Sequence, residues 1–164
     1  MGHARACVVK GRAAKETAAT PPGICDMPYT IDDLQPGMSE SLVKTVTERD
    51  VQLFGEVSGD MNPVHFDEDY ASKTIFKGRI AHGVLSLAYV STVLGMKMPG
   101  PGTVFLSSTA RFRAPVRIGD TVTTLCTVRD VVKEKRRVTF ECVCKVGDTV
   151  VVEGEAVVMP PARA

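Results

Sequence analysis

Past the run Met98-Pro99-Gly100-Pro101-Gly102, the apolar positions of this chain change period from about 3.6 residues to 2 and keep the new period almost to the end. The change predicts helices before the run and strands after it. Candidate strands cover 104–114, 120–132, 137–146 and 150–159, parted by Pro115–Gly119, the charged turn Lys133–Arg136 and Gly147-Asp148. One further strand precedes the helices: Ser39–Thr47 (SESLVKTVT) alternates after the turn-like Gln35-Pro36-Gly37. Thr47 and Asp50 have the spacing of a capping box. They open a helix over 48–57 with Val51, Phe54 and Val57 on one face, and Gly59 ends it. Asp67–Ser72 (DEDYAS) reads as a short helix whose acids sit in the first turn, where they suit the dipole.

The segment Gly83–Met98 (GVLSLAYVSTVLGMKM) is different in kind, being apolar around nearly its whole circumference. As a helix it would be about 22 Å long. A helix without a polar face belongs inside a core. One such helix, with a strand before it and four long strands after it, predicts an α+β fold in which an antiparallel sheet curls around the helix.

Composition narrows this without redirecting it. At 164 residues, with 44% hydrophobic and 24% charged positions, the chain fits one globular domain with its own core; with 5% aromatics and no Trp, that core must be built mainly from Val, Leu and Ala. The division expected is a disordered N-terminal tail over 1–28 and a single domain over 29–164. Residues 1–28 are rich in Ala, Lys and Arg but have no clear apolar stretch, so a mitochondrial-type presequence is the alternative reading of the tail. A net charge of +1 provides no broad field for nucleic acid or an anionic membrane, and no run approaches the roughly 20 apolar residues that span a bilayer. Five cysteines without a CxxC pair suggest reduced thiols, hence a cytoplasmic or similar compartment. Cys142 and Cys144 alternate with Val143 and read as core residues on one strand face. Arg111 and Arg113 share a strand face, and Lys133–Arg137 crowd a turn. Both groups read first as solvated surface, with contacts to a ligand's phosphates as the other reading.

Candidate chemistry concentrates in Gly59–Asp67 (GDMNPVHFD), which places Asp60, Asn62, Pro63 and His65 within six residues of a chain that has three histidines. Pro63 keeps Asn62 out of the helical region, so Asp60 and His65 are expected on a bent, extended segment that can aim both side chains into one cleft. A carboxylate and an imidazole converging there could hold one water between them, the imidazole acting as acid or base near neutral pH. The same letters also describe a plain turn that caps the next helix. A second element follows at His82-Gly83, directly before the apolar helix. The Gly83 N–H is one of the free donors of a helix N-terminus, and the missing side chain leaves room for a carbonyl oxygen to approach it. His82 itself reads as a residue that orients this turn. A metal held by Asp60, His65 and His82 has no recognised ligand spacing behind it.

Taken in order, GDMNPVH, IAHGVLSLAYVSTVLG, MPGPGTVFLSSTARFRAPVRIGDTV and the terminal GEAVV resemble the MaoC-like (R)-specific enoyl-CoA hydratases of the hotdog fold, over about residues 38–159. The resemblance implies that Asp60 and His65 are the catalytic pair holding the water that adds to a trans-2-enoyl thioester. It implies that the Gly83 N–H binds the thioester oxygen and that Asn62 supports the turn. Ser91 falls where relatives carry a helix serine near the pocket. The acyl pocket is expected along Leu87, Leu94 and the terminal strand, with Leu94 and Met96 hinting at a short-to-medium acyl chain. No metal or organic cofactor is implied. The expected partners are an acyl-CoA thioester and a second copy of the chain, with hydration feeding polyester synthesis or dehydration feeding fatty-acid synthesis.

The chemistry agrees with those assignments. Adding water at the β-carbon of an enoyl thioester leaves negative charge on the carbonyl oxygen and requires a proton at the α-carbon. Asp60 and His65 can activate and share the water, and Gly83 can stabilise the oxygen. Two rivals use the same letters: a dehydratase acting on 3-hydroxyacyl groups carried by acyl carrier protein or on branched or dicarboxylic acyl-CoA, and a hotdog module that binds acyl-CoA without chemistry.

Overall fold

The computed structural model describes residues 28–162. The tail expected over 1–28 therefore lies almost wholly outside the described residues, as do Cys7 and Cys25.

The elements run β1 (Ser39–Thr45), α1 (Glu48–Ser58), α2 (Pro63–Phe66), α3 (Glu68–Ala71), α4 (Gly83–Met96), β2 (Val104–Ser108), β3 (Arg111–Phe112), β4 (Thr121–Val132), β5 (Arg137–Val146) and β6 (Thr149–Met159). The strands form one antiparallel sheet in the order β1-β4-β5-β6-β2, with β3 also paired to β6. Its register follows from alternation. On β4 the residues Val122, Thr124, Cys126 and Val128 are buried, and on β5 Val138, Phe140, Cys142 and Cys144, while their neighbours face outward.

The buried face of the sheet packs on α4, whose Leu85, Ser86, Tyr89, Val90, Val93 and Leu94 are buried. This is the predicted α+β arrangement. The helix is not enclosed on every side, however. Val84, Ala88, Ser91 and Thr92 are exposed, because a single sheet covers only one side of a helix. Three thiols sit between the two layers: Cys126 and Cys142 are directly opposed across β4 and β5, with Cys144 two residues along.

Three local outcomes depart from the sequence reading. The strand expected over 104–114 is two short pieces, because Gly154 of β6 faces the main chain at Thr109; a Cβ on Gly154 would stand 2.0 Å from the Thr109 carbonyl oxygen. The bent segment after Asn62 contains a helical turn, α2, which starts with Pro63 in the first turn and is capped by the Asn62 side chain. Within Asp67–Ser72 only Glu68–Ala71 are helical, and Asp67 is the N-cap.

Candidate active site

Helix α1 carries the first candidate residue, Asp60, to its place. Its start is the expected capping box: Thr47 Oγ1 accepts from Asp50 N–H at 3.2 Å, and Asp50 Oδ2 accepts from Thr47 N–H at 2.8 Å. Lys44 on β1 adds an ion pair to Asp50 at 3.1 Å. The helix ends at Gly59, where φ is +76° and the chain turns sharply in the left-handed region. Asp60 follows immediately, exposed, with Oδ1 accepting from Asn62 N–H at 3.2 Å. Asn62 Oδ1 in turn accepts from Val64 N–H at 3.2 Å, which starts α2 and delivers His65. Asn62 thus supports the turn that joins Asp60 to His65.

His65 is buried and its orientation is fixed. Nδ1 lies 2.8 Å from the Ile80 carbonyl oxygen, which can only accept, so Nδ1 carries the hydrogen and Nε2 of the neutral ring keeps a lone pair. Arg79 secures the same turn from outside, donating Nε–H to the His65 carbonyl at 2.8 Å and pairing with Glu48 of α1 at 2.6 Å. Burial holds the His65 imidazole below its usual pKa, and nearby His82 lowers it further; the Ile80 hydrogen bond and Asp60 pull the other way.

His82 completes the cluster from the N-terminus of α4. Its Nε2 lies 2.9 Å from the Asp60 carbonyl oxygen, and its ring stacks on His65 at 3.8 Å between centroids with 31° between planes. One ligand-type atom each of Asp60, His65 and His82 lies within 4.8 Å of the others. A water bonded to two groups at about 2.8 Å holds them about 4.5 Å apart, so the spacing suits a shared water. It suits a metal less well, because Nδ1 of His65 and Nε2 of His82 are each already placed against a main-chain carbonyl oxygen.

Gly83 is the first residue of α4. No side chain caps this terminus, and among the described residues its N–H has no main-chain partner. The Phe112 ring lies over it, so that a Cβ on Gly83 would meet ring carbons at 2.9 Å. Beside the two residues is a cavity of about 290 Å³, lined by Phe76, Ile80, Ser86 and Val152 among others. Asp60, His65, Ser91 and Leu94 do not line this cavity in the single chain: Ser91 is exposed on the outward side of α4, and Leu94 is 1% exposed, deep in the core.

The helix serine that does face the cavity is Ser86, 3% exposed. Its spacing from Gly83, three residues on, could have found it in the sequence. Phe112 had no such signal. A larger hollow of about 590 Å³ between Thr109–Arg111 and Glu141, Glu153 and Glu155 includes Arg111 but none of Asp60, Asn62, His65, Gly83, Ser91 and Leu94.

Comparison with known proteins agrees with this geometry. The model of the MaoC like domain matches residues 35–153. The (R)-specific enoyl-CoA hydratase of Rhodospirillum rubrum is 53% identical over 135 residues, which is 82% of this chain and 94% of that protein. The 3-hydroxybutyryl-CoA dehydratase of Methylorubrum extorquens is 46% identical over 132 residues, 80% of this chain and 84% of that one. Among solved structures, the unliganded R-hydratase PhaJ1 from Pseudomonas aeruginosa superposes with a TM-score of 0.77 at 41% identity, covering 82% of this chain and 86% of that one. With its antiparallel sheet laid on one long helix, its Asp60–His65 turn and its uncapped Gly83 terminus, this chain is a hotdog-fold protein that belongs to the MaoC-like family.

Proposed function

We propose that the protein is a hydro-lyase that reversibly hydrates trans-2-enoyl-CoA to (R)-3-hydroxyacyl-CoA. The observation that carries this reading is the hydrogen bond from His65 Nδ1–H to the Ile80 carbonyl, which leaves Nε2 free to act as a base in a ring that clusters with Asp60. The R configuration follows the names of the relatives.

In the hydration direction a water sits between the Asp60 carboxylate and His65 Nε2. Asp60 accepts a hydrogen bond from one of its hydrogens, which stays on the oxygen and becomes the product hydroxyl hydrogen. As the water oxygen bonds to the β-carbon, Nε2 takes the other hydrogen, and the π electrons move to the thioester oxygen as an enolate. The Gly83 N–H, at the positive end of α4, stabilises that oxygen. The His65 imidazolium then returns its Nε2 proton to the α-carbon on the same face. Dehydration runs the steps in reverse. Every proton is accounted for by the water, the ring and the substrate.

The test is loss of enoyl absorbance with crotonyl-CoA and longer trans-2-enoyl-CoAs. Asp60→Asn and His65→Ala are each expected to lower the rate by about 10²–10⁴. Hydratase activity that survives either change would overturn the mechanism. A chain-length series, repeated with acyl carrier protein as the carrier, assigns the substrate.

The partner we infer is a second copy of the chain. Strand β2 runs along a free edge of the sheet, with Val104, Phe105 and Leu106 exposed, and α4 presents Val84.

A further inference from the structure

Helix N-caps favour Ser, Thr, Asp and Asn, whose side chains accept from the second or third helical N–H. The N-cap of α4 is His82, and its side chain makes no capping bond. It is turned away from the helix instead, 2% exposed, with Nε2–H donating to the Asp60 carbonyl at 2.9 Å. A side-chain oxygen capping α4 would lie across the free donors beside Gly83. The ring packs against Phe54 at 4.8 Å, Phe66 at 5.7 Å and His65 at 3.8 Å between centroids. Gly55 makes room for this packing, since a Cβ there would stand 2.5 Å from Phe66 Cζ. Among the described residues, Nδ1 of His82 is buried without a hydrogen-bond partner, so the residue sits here with one unsatisfied polar atom. A local rule broken in this way is expected at functional sites more than elsewhere.

We infer that His82 is a positioning residue that holds all three parts of the site in one geometry. Its Nε2–H fixes the main chain at Asp60, its ring face sets the plane of His65, and its own peptide link supplies the N–H of Gly83. No atom of His82 needs to touch the substrate for this. The inference rests on the hydratase reading above, because the parts held are the water-activating pair and the oxyanion donor.

The groups that face His65 are Asp60 from the turn after α1, His82 from the start of α4, and Arg79, which is bonded to the His65 carbonyl and paired with Glu48. Of these groups, His82 is the one whose ring packs on the His65 ring, 3.8 Å between centroids and tilted by 31°. A misplacement of about 1 Å at a reacting group can cost about 10² in rate.

The experiment compares His82→Leu, which removes the donor but keeps apolar volume, with His82→Gln, which keeps an N–H near the position of Nε2. Both are assayed with crotonyl-CoA for kcat and KM separately, and the His65 imidazole is titrated by NMR. His82→Leu is expected to lower kcat by about tenfold to a hundredfold with KM changed less than about twofold, and His82→Gln to recover most of that loss. The His65 titration should move upward in both variants, because the neighbouring imidazole that disfavours its charged form is gone.

The inference is overturned if folded His82→Leu keeps kcat within about twofold of wild type with the His65 titration unmoved. It is also overturned if both variants lose activity only in proportion to lost fold, as measured by melting. Wild-type protein without hydratase activity would remove the hydratase reading itself; the NMR titration then still decides whether His82 positions His65.

Discussion

In the proposed mechanism His65 works through the nitrogen it does not use for structure. The Ile80 carbonyl commits Nδ1, and burial keeps the ring neutral to lower pH than an exposed histidine, whose pKa is about 6.5. The acid limb of kcat/KM is therefore expected below about 6.5, as a pH profile with crotonyl-CoA will measure. Stability follows the same group. Because the folded pKa lies below the unfolded one, the unfolded chain binds the proton first, so the contribution is full above about 6.5 and is lost as pH falls toward the folded value. Urea midpoints taken between pH 7.5 and 5 should fall on acidification, and the fall should shrink in His65→Ala. Asp60 and His65 were legible in the sequence because a rare histidine stood five residues from an acid across Asn-Pro. The ring stack was not, since His82 reaches it from seventeen residues further along the chain. What sequence spacing offered for His82 was its place before Gly83, which says where its main chain sits and nothing about where its ring points.

At the scale of elements, α1 acts as a rigid arm that ends where the chemistry begins. Gly59→Ala puts a side chain in the left-handed region at φ +76°, with open space around it, so the cost is conformational. About 1–2 kcal/mol of destabilisation is expected in urea unfolding, with a fall in kcat because Asp60 is the next residue. Gly83→Ala separates two effects. Its Cβ would press on the Phe112 ring, which is exposed and can swing aside, so Phe112→Ala in the same chain should restore melting temperature but not kcat if the N–H must be approached closely. Periodicity was a good guide to the long elements: β5 spans the expected 137–146, and α1, α4, β4 and β6 differ from expectation by one or two residues at an end. It had no purchase on α2, because four residues complete barely one turn and Asn-Pro marks a turn and a helix start equally well. It missed the break between β2 and β3 for another reason. The cause is Gly154, more than forty residues away, and Gly154→Ala should cost at least about 3 kcal/mol because main chain, not a movable side chain, occupies the space.

For the whole molecule, the uneven covering of α4 matters most. The sequence predicted a helix apolar on all sides, and the single chain buries only one side of it. Together with the free edge of β2, this leaves Val84, Val104, Phe105, Leu106 and Phe112 exposed, and of these Phe112 lines the cavity beside Gly83. Sedimentation of the full chain is expected to give a homodimer. Phe105→Lys with Leu106→Asp should shift the protein toward monomer, since both side chains are exposed on the free β2 edge.

The three thiols between helix and sheet add a practical consequence. The neighbouring Cys142 together with burial raises the Cys126 thiol, and burial raises Cys144, so neither of these two is a ready nucleophile while the layers stay packed; Cys142 is buried beside them. An alkylating reagent can reach them only when α4 leaves the sheet. Mass-resolved labelling at these three positions would thus time the opening of the core, molecule by molecule, in a protein that needs no added reporter.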